Sequence, residues 1–235
     1  MPNATLETIR SYEILSAVLF IIGLIYVWRA RSPLYLGAFL AAAIGGGVFE
    51  WIYDSKYYFR LVADNRFIPA WTMDGVKAPL AMILFYAFFF GIPLMITHKH
   101  YELLRRRFGP RGLYVFLAIL GMVGTLLFEF TNTSVTEIYK YRQEAKYLLW
   151  GLPWSNLWFG ALMFVIPYWG LRKAGDLVAL QAEHQKAIDG TAKGDPILAT
   201  ALGFSAVITG FFVASVINGV WYVFAEPWIS TTRPF

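Results

Sequence analysis

Apolar residues along this chain fall into long blocks separated by short polar stretches, without the three-to-four or alternating rhythm of a domain that faces water. Six blocks qualify as membrane helices, at 12–28, 33–52, 78–97, 113–130, 154–171 and 197–224, because a bilayer core of roughly 30 Å takes about 20 apolar residues per crossing. Glycine and proline within them (Gly45, Gly46, Gly47, Pro93, Pro167, Gly210) would break helices in water but are tolerated in lipid. The pattern predicts an all-α integral-membrane fold in one domain over 1–235, with six transmembrane helices and seven as the alternative count. The last block is longer than a bilayer needs, so it should tilt or project. The first lacks a basic start and a small-residue cleavage site, which argues against a removed signal peptide. The stretch 174–195 is polar; Leu177, Leu180 and Ala187 predict a turn or two of amphipathic helix before Gly190, Gly194 and Pro196 break it. It is expected to be a cytoplasmic linker.

Composition agrees with this pattern. Hydrophobic residues make up 58% and charged residues 15%, against about 25% charged in a soluble domain. Cysteine is absent, which removes thiolate nucleophiles, cysteine-bound zinc and iron–sulfur clusters. Twenty Lys and Arg against fifteen Asp and Glu give a net charge of +5, and the basic residues collect between apolar blocks. Membrane lipid explains that better than nucleic acid does. The connections after the first, third and fifth blocks carry Arg29, Arg31, Lys99, Arg105, Arg106, Arg107, Arg111, Arg172, Lys173, Lys186 and Lys193. The positive-inside rule therefore places both termini outside, with Arg105-Arg106-Arg107 anchoring to cytoplasmic lipid headgroups.

A weak hairpin repeat marks the opposite side. Three even-numbered blocks end in an aromatic followed at once or one residue later by glutamate: Phe49-Glu50, Phe128-Glu129 and Phe224-Ala-Glu226. Glu50 and Glu129 lie at equal depth, roughly 24 Å beyond the first leucine of their block at 1.5 Å per residue, just inside the apolar layer. Asp54 follows one turn after Glu50. Carboxylates at that depth must be protonated, paired or set in a wet cavity, and are functional candidates by default. Aromatics crowd the same side, including Trp51, Trp71, Trp150, Trp154, Tyr139, Tyr141 and Tyr147. A simple interfacial belt would occupy both interfaces, so the asymmetry points to an aromatic-lined pocket that opens outward.

What is absent narrows the chemistry. The three histidines, His98, His100 and His184, fall between blocks, and His98-Lys99-His100 has the pattern of a solvated basic loop. No metal site, haem ligand set, retinal lysine, diphosphate-binding acid cluster, phosphate loop or nucleophile elbow is present, so neither metal nor cofactor is expected. Acids, aromatics and a few amides (Asn156, Asn218) remain. They suit protonation of an alkene or epoxide, with ring faces stabilising the carbocation and a second acid or water taking the last proton. A carboxylic acid in an apolar pocket keeps its proton at neutral pH.

Phe49-Glu50-Trp51-Ile52-Tyr53, with the size and helical layout, is similar to the small integral-membrane terpene cyclases of meroterpenoid pathways. Glu129 to Asn156, with Tyr139-Lys140-Tyr141 and Gly151-Leu152-Pro153-Trp154-Ser155-Asn156, resembles the membrane carotenoid-biosynthesis hydratase family. These likenesses imply acid-initiated, cofactor-free cyclisation, isomerisation or hydration of a long isoprenoid or polyene lipid. Glu50 would be the acid and Glu129 or Asp54 its orienting group or base. Trp51, Tyr141 and Trp154 would line the pocket, and Asn156 would donate a hydrogen bond. The alternatives are a non-enzymatic lipid- or pigment-binding subunit that docks partner membrane proteins, and a proton-coupled transporter.

Overall fold

The computed structural model describes residues 4–45, 62–63, 66–73, 76–140, 148–149, 152–189 and 194–229. Among these residues the structure is all-α apart from three two-stranded ladders. Helix α1 (Leu6–Ala30) starts at Thr5, whose hydroxyl accepts the Thr8 N–H at 3.1 Å. It stops at Arg31, left-handed at φ 51°, whose N–H closes onto the Trp28 carbonyl. Pro33 then opens α2 (Pro33–Ile44) at a position where its missing N–H costs nothing. Helices α3 (Leu80–Tyr86) and α4 (Ile92–Lys99) form one rod through a π-helical turn at Ala87–Gly91. The wide turn sits just ahead of Pro93, which removes a donor and crowds the carbonyl four residues back. Helix α5 (Tyr101–Phe130) bends at Gly109, whose φ of 73° favours glycine, and Pro110 follows. Helices α6 (Trp154–Asp189) and α7 (Pro196–Ile229) follow.

Among the described residues, four segments are long and apolar enough to cross a membrane: Leu6–Ala30, Leu80–Lys99, Tyr101–Val135 and Pro196–Val220. Each contains one of the expected blocks or most of it. The block at 33–52 begins in the shorter apolar helix α2 and runs on outside the described residues, and the block at 154–171 is the first half of α6. Where a linker was expected over 174–195, α6 continues to Asp189. The reason lies in good helix formers such as Ala174, Ala179, Leu180, Gln181 and Ala182, together with burial of Ala174 and packing of Val178 against the core. The ladders were not foreseen. Strand β1 (Val62–Ala63) pairs with β4 (Tyr139–Lys140), β2 (Pro69–Met73) with β3 (Val76–Pro79), and β5 (Leu148–Leu149) with β6 (Leu152–Pro153), all antiparallel. The β2–β3 hairpin had a visible signal in Asp74-Gly75 between its strands. Its start is tied to α1 by the Ile68 N–H on Glu13 Oε1 at 2.7 Å and by Arg66 on the Ala4 carbonyl at 2.6 Å.

The helices pack in the order α5, α6, α7, α2, then the α3–α4 rod with α1 against it. Contact is closest where glycine removes the side chain. A methyl on Gly37 would lie 2.0 Å from the Thr200 carbonyl oxygen, and one on Gly203 would lie 2.2 Å from that of Leu34. Gly121 would meet the Gly160 carbonyl at 2.3 Å, and Gly210 the Pro167 Cα at 2.5 Å. Helix α1 is the exception: only Ile9, Ser16, Gly23 and Val27 are buried on it, one narrow seam.

The histidine expected on a solvated loop, His98, is instead a contact between helices. Its Nδ1 lies 3.1 Å from the Tyr35 hydroxyl, and the two rings meet edge to face. Its Nε2 is buried against Gly175, where a methyl would come within 2.5 Å of it. The ring fits because α6 presents glycine there.

Gly203→Val should therefore lower the melting temperature in detergent, by about 1–3 kcal/mol of overpacking, while Gly194→Ala, whose methyl has nothing nearer than 3.7 Å, should not. Tyr35→Phe should cost about 0.5–1.5 kcal/mol for the lost hydrogen bond. Gly175→Ala should displace the same ring, so a double-mutant cycle should return less than the sum of the two single losses.

Candidate functional site

The buried positions of α5 are Leu113, Leu117 and Gly121, four residues apart, and Glu129 eight residues further on. This stripe faces α6, and its antiparallel register is fixed by close contacts. Thr125 Oγ1 lies 2.2 Å from where a Gly160 methyl would be, and Gly121 stands against Gly160 and Phe164. One turn further out, the same register sets Glu129 at the level of Asn156 on the facing helix. Two positions singled out from the sequence, 27 apart in the chain, thus stand at one level along the two helix backbones. Glu129 is 3% exposed.

Beside it, Phe128 opens an aromatic layer. Its ring stacks on Phe85 at 4.9 Å and lies 5.6 Å from Phe89 and 5.9 Å from Tyr86. Phe89 meets Phe164 at 5.9 Å, and Phe90 meets Phe164 at 5.4 Å and Phe211 at 5.3 Å. The layer crosses the bundle from α5 through the α3–α4 rod to α6 and α7. The π-helical turn at Ala87–Gly91 contains both Phe89 and Phe90, and its altered winding lets adjacent residues serve that layer.

A second π-helical turn, Thr131–Val135, begins two residues after Glu129. Its Thr136 N–H reaches the Thr131 carbonyl at 2.8 Å, five residues back. Threonine hydroxyls take up the neighbouring carbonyls: Thr133 Oγ1 donates to Glu129 O at 2.8 Å, and Thr136 Oγ1 to Thr131 O at 3.1 Å. Such turns recur at functional sites because they re-aim side chains without ending the helix. This one buries Asn132 at 2% exposure, its Nδ2 without a hydrogen-bond partner. Ser215 and Asn218, one turn apart on α7, are likewise buried with Oγ, Oδ1 and Nδ2 unpartnered. Groups of this kind are costly in an apolar interior.

Of the remaining sequence-derived residues, Glu50, Trp51, Asp54 and Tyr141 lie outside the described residues. Trp154 and Asn156 stand in the first turn of α6, directly after the β5–β6 hairpin. Asn132 and Ser215 were missed, and only a helix ending in a π-helical turn would have signalled the former. An open groove of about 520 Å³, lined by Pro196, Ile197, Thr200, Ala201, Phe204 and Ser205, lies at the other end of the bundle from Glu129. No group of three or more His, Asp or Glu side chains suited to a metal occurs among the described residues. Comparison with known proteins returns no matching family model, no matching curated sequence and no matching solved structure.

Proposed function

We propose that the chain is an integral-membrane protein with six crossings and both termini outside, which converts a long isoprenoid or similar polyene lipid by acid-initiated cyclisation, isomerisation or hydration. The observation that supports this reading most is Glu129, a carboxyl group buried beside an aromatic layer at the outer end of a long apolar helix. A protonated carboxyl there gives its proton to an alkene carbon. The carbocation then draws on ring faces, worth about 2 kcal/mol or more when desolvated. In cyclisation or isomerisation a partner carboxylate takes a proton from the carbon next to the cation, and in hydration water adds to the cation and gives its extra proton to that carboxylate. Passing the proton back to Glu129 regenerates the acid, and nothing is oxidised or reduced. Glu50 and Asp54 supply the partner carboxylate in this scheme, Asn156 a hydrogen bond, and Trp51, Tyr141 and Trp154 hydrocarbon contact. The second reading, a non-enzymatic lipid- or pigment-binding subunit, draws on α1, whose single buried seam leaves Ile14, Val18, Ile21 and Ile25 exposed to lipid or partner helices.

Mass spectrometry of lipids extracted from the purified protein is expected to find a bound polyene; stoichiometric partner subunits in its place would favour the second reading. Glu129→Gln keeps the shape and removes the transferable proton. Turnover of the extracted lipid should fall about 10²–10⁴-fold with thermal stability retained, and adding Glu50→Gln should cost little more if the two act as a unit. Full turnover by Glu129→Gln would end the assignment of Glu129. For orientation, a cysteine at the exposed position Ser134 should react with an impermeant reagent outside intact cells, and one at His100 should not.

A further inference from the structure

We infer that the elbow at the inner end of α5, with Arg172 of α6, binds the phosphate of an anionic phospholipid. Two guanidinium groups from different helices converge on one ring: Arg172 Cζ lies 3.9 Å from the Tyr101 ring centroid and Arg105 Cζ lies 5.9 Å from it. Arg172 comes from far along the chain and is held in place by that ring and by Asp176 at 3.2 Å. Guanidinium forks suit phosphate oxygens, and a stacked guanidinium is already ordered before the anion arrives.

The surroundings match a membrane interface. Residues 101–108 form a short helical segment cut off from the rest of α5 by the bend at Gly109. That segment exposes Leu103 and Phe108 at 65% and 40% beside Arg105, Arg106 and Arg107, and apolar and cationic groups side by side are what an interfacial helix presents to lipid. Lys99, Arg105, Arg106, Arg107, Arg111, Arg172 and Lys173, taken with Glu102 and Asp176 of the same two stretches, sum to +5, as much net positive charge as the whole chain. The rest of the molecule is electrically balanced. A lipid phosphate would join Asp176 in neutralising Arg172 and would add a counter-ion for Arg105.

The inference rests on the membrane placement proposed above and not on the acid-initiated chemistry; resistance of the protein to carbonate extraction tests that placement by itself. Native mass spectrometry of the detergent-purified chain, offered phosphatidylglycerol and phosphatidylcholine in turn, tests the site. One phosphatidylglycerol per chain should be retained and phosphatidylcholine lost. The variant Arg105→Gln/Arg172→Gln should retain neither, while Arg106→Gln/Arg107→Gln, which removes the same charge, should keep its phosphatidylglycerol. Equal loss in both variants would show a diffuse charge effect and overturn the site, as would equal retention of the two lipids. Displacement of the lipid by millimolar glycerol phosphate would assign the site to a soluble phosphate instead and overturn the lipid assignment. If Arg172→Gln lowers the melting temperature, Arg105→Gln alone, at an exposed position, carries the same test.

Discussion

At three helix crossings, backbones approach with no side chain between them, and most of the remaining architecture follows from that contact. In lipid the hydrophobic effect gives helices no reason to associate, so packing, hydrogen bonds and close approach must hold them together. The Gly37–Thr200 and Gly203–Leu34 contacts bind α2 to α7 as parallel neighbours, Gly121–Gly160 binds α5 to α6, and Gly210–Pro167 binds α6 to α7. These contacts set register as well as distance. The level of Glu129 against α6 is fixed eight residues away at Gly121, before any polar group takes part.

The same constraint explains why polar and aromatic groups are layered. Once α5, α6 and α7 are drawn together, the rings of Phe128, Phe164 and Phe211 are brought to the phenylalanines of the α3–α4 rod. Glu129 on α5 and Asn132 in the turn that continues it follow Phe128, and Ser215 and Asn218 follow Phe211 on α7, so buried polar groups succeed the aromatic layer toward one end of the bundle. Two π-helical turns adjust the winding where it would otherwise aim these residues wrongly.

Hydrophobic blocks made the helices legible in the sequence, because length and apolarity are local properties. Depth within a block marked Glu129 as a candidate, and its burial inside the bundle is a separate observation. Hidden from the sequence were the features that depend on a partner distant along the chain. His98 looked like a loop residue since nothing near it announces Tyr35 or Gly175. Arg172 looked like one more inner cation, and its place over Tyr101 depends on the α5 bend. In the polar stretch 174–195 the helix runs on to Asp189, beyond the turn or two expected, for another reason. Low hydropathy there signals exposure to water, whereas helicity is set by propensity and by the one stripe that packs.

That long α6 has a mechanical side. From Pro167 it runs about 33 Å to Asp189 in one direction and about 17 Å to Asn156 in the other, at 1.5 Å per residue. Pro167 is also where Gly210 of α7 presses against it. Gly160, Gly170 and Gly175 fasten the same helix to α5, to α7 and to His98 on either side of that contact. A sideways load on the polar half therefore meets the Gly175 and Gly170 contacts before it reaches the level of Glu129.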